Sequence, residues 1–264
     1  MTCRSLMFIP AKSKTLSKLG QFDADAYVID LEDSIEEQNK TVALLDAFAC
    51  LKELDSHNYK VYVRLNKERY QEEAEKLSLF TDVGFMLPKF ESIDEYAELE
   101  NVWKTHSVIA LIETPLGIVN INGISSCDWV DSLAFGAEDY TASINMENQS
   151  RLLAYPKSVL ITYGKAYGKT VFDTPSFQLN DMDLLKDEID SAVSMGFDGK
   201  LAIHPKQIPL INQAFLSIDI EWMQRVVDAY EQQGDAVFVY EGRPYEKMHI
   251  ARFRRIIKEN GGTK

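Results

Sequence analysis

Short apolar runs that end in charged or turn-forming residues recur along this chain. The clearest is Leu133-Ala134-Phe135-Gly136-Ala137-Glu138-Asp139-Tyr140, where an apolar run meets a small-residue turn and then two adjacent carboxylates. The run at 26–31 contains Asp30 and leads into Glu32-Asp33; 60–65 carries Arg64; 84–87 leads into Pro88-Lys89; and 107–112 leads into Glu113. Two later runs lead into Asp173 and His204. A short apolar run between turn signals reads as a buried strand. Charged groups directly after it stand at the strand's C-terminal mouth. Carboxylates gathered in such numbers repel one another and resist ionising. A hard divalent cation such as Mg²⁺ resolves this, because it takes carboxylate, water and substrate oxygens. Glu113 and Asp139 end neighbouring runs and are the expected metal ligands. Glu32 and Asp33 are expected to order the surrounding waters. Arg64 suits a substrate carboxylate or an oxyanion that develops in a reaction, with Lys89 as a further cation for substrate.

Each of these residues also has a plainer reading. A carboxylate at a strand end often caps a helix, and Asp33 or Asp139 could do only that. Arg64 could pair structurally with Glu32 or Glu113, and Lys89 could be merely solvated. His204 has no acid–base partner in sequence and reads as a loop hydrogen-bonder, and Asp173-Thr174-Pro175 as a turn. The functional case is that charge recurs at the same structural place on successive strands.

Eight strands are expected, at 5–11, 26–31, 60–65, 84–87, 107–112, 131–135, 170–172 and 199–203. Helices are expected at 13–19, from a cap at Asp33 or Ser34 to 54, and at 68–80, 92–103, 116 onward, 151–167, 181–195 and 206–215. Regular alternation of this kind predicts an α/β fold, a (β/α)₈ TIM barrel over 1–218. A doubly wound open sheet is the rival, but no glycine-rich phosphate fingerprint follows the first strand. Residues 219–264 read as a C-terminal helical extension, with helices at 221–233 and 245–259 around a strand-like run at 236–240. It is expected to pack on the barrel or to reach a neighbouring subunit.

The 264 residues carry a net charge of −13, which disfavours nucleic-acid and anionic-membrane partners. No apolar run is long enough to span a membrane. Cys3, Cys50 and Cys127 are scattered without metal-type spacing, which suits a reducing cytoplasm.

Seven segments in order resemble the citrate lyase β-subunit-like branch of the HpcH/HpaI aldolase superfamily. They are Arg4-Ser5-Leu6-Met7-Phe8-Ile9-Pro10, Asp30-Leu31-Glu32-Asp33-Ser34, Arg64-Leu65-Asn66, Leu87-Pro88-Lys89, Ile112-Glu113-Thr114-Pro115-Leu116-Gly117, Gly136-Ala137-Glu138-Asp139-Tyr140, and Gly196-Phe197-Asp198-Gly199-Lys200 with His204-Pro205-Lys206-Gln207. The resemblance spans about 4–215 and implies a TIM barrel. It implies Mg²⁺, or Mn²⁺ in its place, at Glu113 and Asp139. It implies a 2-oxo acid such as oxaloacetate, pyruvate or glyoxylate, bound near Arg64 with help from the backbone amides of Gly136, Ala137 and Glu138. The implied chemistry forms or cleaves a carbon–carbon bond between that acid and an enolate, which in some members belongs to an acyl-CoA. Trimers or hexamers are the family habit, so a homo-oligomer is expected.

Two segments depart from the pattern. Tyr155-Pro156-Lys157-Ser158 stands where many relatives have Tyr-Ala-Arg-Ser, and Glu246 stands where CoA-using relatives carry an aspartate. Both bear on whether a CoA thioester is a substrate. A CoA-independent aldolase and a non-catalytic barrel serving as a binding or assembly partner are the alternative readings.

Overall fold

The computed structural model describes residues 3–54, 60–146, 152–216, 220–233 and 237–259. Up to residue 143 strands are followed by helices: β1 (Ser5–Pro10), α1 (Ser13–Leu16), β2 (Ala26–Asp30), α2 (Lys40–Glu53), β3 (Lys60–Arg64), α3 (Tyr70–Leu77), β4 (Val83–Leu87), α4 (Glu100–Trp103), β5 (Val108–Ile112), α5 (Pro115–Val119), α6 (Ile121–Ser126), β6 (Ser132–Phe135) and α7 (Ala137–Ser143). Then follow α8 (Ala154–Ala166), β7 (Thr170–Asp173), α9 (Met182–Met195), β8 (Gly199–Ala202) and α10 (Gln207–Leu216). All eight strands are parallel and hydrogen-bonded in sequence order, and β8 closes on β1 to form a barrel.

Strand side chains alternate between the two faces of the sheet. Leu6, Val28, Tyr62, Met86, Leu111, Ala134, Phe172 and Leu201 pack together as the barrel interior. Two residues further along, the inward positions include Asp30, Arg64, Glu113, Gly136 and Thr174. Polar groups therefore enter the inner face at the C-terminal end. The opposite strand faces are buried as well, as in Ile29, Val63 and Ile112, which is why the strands read as continuous apolar runs. Among the helices, α9 shows the pattern most plainly. Asp181 caps its N-terminus by accepting from the Leu184 amide, Leu185, Ile189 and Ala192 make its buried face, and Gly196 ends it at φ +98°.

The described residues divide into two compact units, Cys3–Asn212 and one that begins at Gln213. The expected boundary at 218–219 lies outside the described residues. In the second unit, α11 (Ile220–Gln233) and α12 (Lys247–Glu259) pair with an antiparallel hairpin of β9 (Val237–Tyr240) and β10 (Arg243–Glu246). Val226, Val227, Phe238, Tyr245, Ile250 and Ile257 form its core.

Several expected boundaries shift. No helix begins at Asp33 or Ser34: a 3₁₀ turn at Glu37–Asn39 precedes α2, and the Ile35 amide, which a cap at Asp33 would take, returns to the Glu32 carbonyl. Ser92 does cap, but it caps a 3₁₀ segment, Ile93–Leu99, before α4. The α8 helix starts at Ala154, with Pro156 in its first turn where proline is tolerated; the expected start at Arg151 lies outside the described residues. The 243–246 segment is strand, so the last helix starts at Lys247 and not at Tyr245.

Candidate active site

Arg64 lies at the centre of the barrel mouth. The register pairs Asp30 with Arg64 on adjacent parallel strands, so their inward side chains meet. Arg64 Nε donates to Asp30 Oδ1 at 2.7 Å and Nη2 to Asp30 Oδ2 at 2.8 Å. Nη1 donates to Asp33 Oδ2 at 2.8 Å and lies 3.1 Å from Glu32 Oε2. The ring of Phe8 lies under the guanidinium, 5.1 Å away. Burial would raise the Asp30 carboxyl, but Arg64 overrides it and holds Asp30 below its ordinary range. Burial opposes the Arg64 charge, yet Asp30, Glu32 and Asp33 together push its pKa upward. Asp30 also accepts from the Glu32 amide at 2.9 Å and the Ser34 amide at 3.1 Å.

Glu32 is buried between two cations. Its Oε1 accepts from Lys89 Nζ at 3.0 Å, while Oε2 makes no hydrogen bond. Burial raises its pKa; Arg64 partly offsets this and Asp33 adds to it. Lys89, directly after Pro88, adopts φ +46°, a left-handed conformation that is costly for a side-chain-bearing residue. That turn aims its amide at Glu113 Oε1, 2.8 Å away, while its carbonyl accepts from Lys67 Nζ at 3.0 Å. Lys67 is in turn paired with Glu95.

Glu113 is 2% exposed. Burial and the neighbouring charges of Glu32 and Asp139 push its carboxyl up to about 8, against the pull of Arg64 and the Lys89 amide. Gly136 stands beside it on the next strand. A Cβ there would fall 2.5 Å from both Cβ and Oε2 of Glu113. The glycine is therefore the room the carboxyl occupies. Asp139, half-buried in the first turn of α7, acts electrostatically on both Glu113 and Lys89. Glu138 is exposed.

The mouth thus brings together Arg64, Glu32, Asp33, Lys89, Glu113 and Asp139. The expected amide donors behave differently. The Gly136 amide donates to the Ile112 carbonyl at 3.0 Å, and the Ala137 amide to Thr174 Oγ1 at 3.1 Å. Both are engaged within the barrel. Asp173 is not at the mouth, because the alternation that turns Phe172 inward turns Asp173 outward. It is fully buried between Lys157 Nζ at 2.7 Å and Lys200 Nζ at 2.6 Å, clipping β7 and β8 to α8. Burial opposes its charge, but the two ammonium groups hold it below its usual range. His204 Nδ1 accepts from the Lys206 amide at 3.2 Å, a local loop bond.

Sequence reasoning gave no role of their own to Lys40, Asn66 or Glu73 and read Thr174 only as part of a turn; all four are buried. A lysine opening a helix and a glutamate within one look solvated in sequence. Only the packing of neighbouring βα units buries them.

A closed parallel barrel with polar and charged side chains gathered at its C-terminal mouth defines a TIM-barrel enzyme scaffold. Residues 4–205 match the HpcH/HpaI aldolase/citrate lyase family, and the chain belongs to that family. It is 29% identical to citrate lyase subunit beta of Leuconostoc mesenteroides subsp. cremoris, over 97% of this chain and 92% of that one. It is 26% identical to the mitochondrial citramalyl-CoA lyase of Rattus norvegicus, over 96% and 85% of the two chains. Among solved structures it resembles CitE of Mycobacterium tuberculosis in complex with magnesium, acetoacetate and coenzyme A. That similarity has a TM-score of 0.81 at 25% identity and covers 98% of each chain.

Proposed function

We propose that this protein is a Mg²⁺-dependent carbon–carbon lyase that joins or cleaves a small 2-oxo acid and an enolate. The observation that carries this reading is Glu113: a buried carboxyl that its own surroundings push to about 8. It lies within the field of Asp139 and Glu32, beside a glycine whose missing side chain leaves it space. Such a cluster is short of positive charge, and its donors are hard oxygens that suit Mg²⁺ or Mn²⁺. Among the described residues no group of three or more His, Cys, Asp or Glu forms a complete cage. Two carboxylates, with remaining positions left to water and substrate oxygens, is the usual Mg²⁺ arrangement. The magnesium in the CitE neighbour and the names of the two lyase relatives support the same reading.

Glu113 and Asp139 would hold the ion. When bound it supplies Lewis acidity to the 2-oxo acid's carbonyl. Asp30 holds one edge of the Arg64 guanidinium through Nε and Nη2 and leaves Nη1 to its other partners. Of its two partners there, Asp33 is the exposed one, at 53% for its side chain. An incoming carboxylate or developing oxyanion takes Arg64 by displacing Asp33. Lys89 holds Glu32 and completes the positive side of the cleft.

A second reading, a 2-oxo-acid aldolase that does not use CoA, draws on Lys157. The residue where relatives place an arginine is engaged with buried Asp173, its side chain only 12% exposed.

Thermal-shift titration tests both. A ligand that binds the native state raises the melting temperature by mass action. Mg²⁺ with oxaloacetate, pyruvate or glyoxylate should raise it in the wild type, and Asp139→Ala should abolish the effect. A further shift with acetyl-CoA selects the CoA reading, and its absence the free-acid one. No metal-dependent shift with any of the three acids would sink the proposal and favour a barrel that binds or assembles without catalysis.

A further inference from the structure

Behind the mouth lies a buried polar chain that touches none of the proposed ligands. Lys40, the first residue of α2, is 7% exposed and points under the β2 loop. Its Nζ donates to the Leu31 carbonyl at 3.1 Å, the Glu32 carbonyl at 2.8 Å and Asn66 Oδ1 at 2.5 Å. An ammonium has three donors, and all three are engaged. Asn66, two residues past Arg64, gives its amide and its Nδ2 to the two oxygens of Glu73, at 2.7 and 2.5 Å. A side-chain amide's orientation is set by its bonding partners. With Nδ2 fixed on Glu73, Oδ1 must face Lys40.

Burying a lysine charge is costly unless strong acceptors compensate it. Here the ammonium faces backbone and amide oxygens, and among the described residues no carboxylate pairs with it directly. The return is geometric. The Glu32 amide is held by Asp30 and the Glu32 carbonyl by Lys40. Both ends of that residue's backbone are pinned, so its carboxylate is delivered between Arg64 and Lys89 with only side-chain torsions free. The Ile35 amide also returns to the Glu32 carbonyl, at 3.0 Å, closing the loop around the same oxygen.

We infer that Lys40, oriented by Asn66 and Glu73, is a positioning residue that sets Glu32 against Arg64 and Lys89. The inference rests on the proposed 2-oxo-acid site for its functional consequence, but its structural core can be tested without that site.

The test uses the full chain as wild type, Lys40→Met, Glu32→Gln and the double variant. Amide hydrogen exchange is read first, on metal-free protein. Lys40→Met should speed exchange at residues 31–35 at least tenfold and leave the barrel strands unchanged. Apparent affinity for oxaloacetate in Mg²⁺ is read second, by thermal shift. Loss of an outer partner that orients a site typically costs about 10–100-fold, and Lys40→Met should fall in that range. The double variant should be no weaker than the weaker single one, because Lys40 acts through Glu32. Unchanged exchange at 31–35 overturns the inference, as do losses that multiply in the double variant. If the wild type shows no metal-dependent oxaloacetate response, the functional proposal fails, and the exchange result alone decides whether Lys40 anchors the loop. Should Lys40→Met not fold, Lys40→Gln, which keeps two donors, is read in the same way.

Discussion

A carboxylate can be held in place by what is missing beside it. Glu113 and Gly136 follow directly after Ile112 and Phe135, which face each other in the β5–β6 register. An alanine methyl at 136 would overlap the Glu113 Cβ as well as its Oε2, and a Cβ contact at 2.5 Å cannot be relieved by rotating a side-chain tip alone. Gly136→Ala is therefore expected to displace the carboxyl and lower Mg²⁺ affinity by roughly tenfold or more, a size typical of disturbed ligand orientation. Calorimetric titration of Mg²⁺ in the presence of oxaloacetate measures it. Affinity equal to wild type would show that Glu113 does not ligate from this position. The sequence exposed the residue types here but not this duty. The family resemblance implied an amide donor to substrate at Gly136, and the residues themselves did not point to a packing role for this glycine. What it does depends on which residue the neighbouring strand places opposite, and one sequence does not show register. Arg64 was legible as an ion-pair former with Glu32 or Glu113, and it is Glu32 that it meets. Its bidentate hold on Asp30 follows from the β2–β3 register and stayed hidden for the same reason.

Strands and helices in this barrel are tied together by buried charges, and these have a pH signature. Glu73 joins α3 to the loop after β3 through Asn66. Burial pushes its carboxyl from an ordinary 4.5 up to about 7, against the pull of the Asn66 bonds, Arg69 and Lys40. Below about 4.5 the group is protonated in both folded and unfolded chains. Between the two values only the folded chain keeps the proton. Its contribution to stability is therefore fully present at the acid end and is lost as pH rises through about 7. At 1.36 kcal/mol per unit the loss is ~3 kcal/mol. Urea midpoints across pH 5 to 8 should fall more steeply in the wild type than in Glu73→Gln, and equal slopes would contradict the assignment. Glu113 titrates in the same direction in both proteins, so the difference between the two slopes isolates Glu73. The strands themselves were legible as short apolar runs because both faces are buried. Helix starts were less so. Asp30 takes the amides of residues 32 and 34, so the β2 loop closes on its own strand end and α2 begins only at Lys40.

At the scale of the whole chain, two cores imply two stabilities. The barrel unit has a continuous interior and an aromatic cluster in which Trp103 and Trp129 lie 6.3 Å apart, ring to ring. The unit from Gln213 onward rests on a core of six buried residues, with Trp222 packed edge-on to Phe253 at 5.7 Å and to Tyr245 at 6.1 Å. A segment of this size buries a smaller fraction of its surface than a barrel does, which makes it marginal by itself. The sequence showed the change of pattern here but not the hairpin: residues 245–246, read as the start of the last helix, belong to β10. The chain contains three tryptophans, one of them in this unit, so fluorescence can separate the two. Urea unfolding of the wild type should show two fluorescence phases, and the phase at lower denaturant should disappear in Trp222→Phe while the later one keeps its midpoint. Two-state behaviour requires every probe to give one coincident transition. If the wild type unfolds in a single step and Trp222→Phe only rescales it, the two units melt together and the C-terminal core is not independent of the barrel.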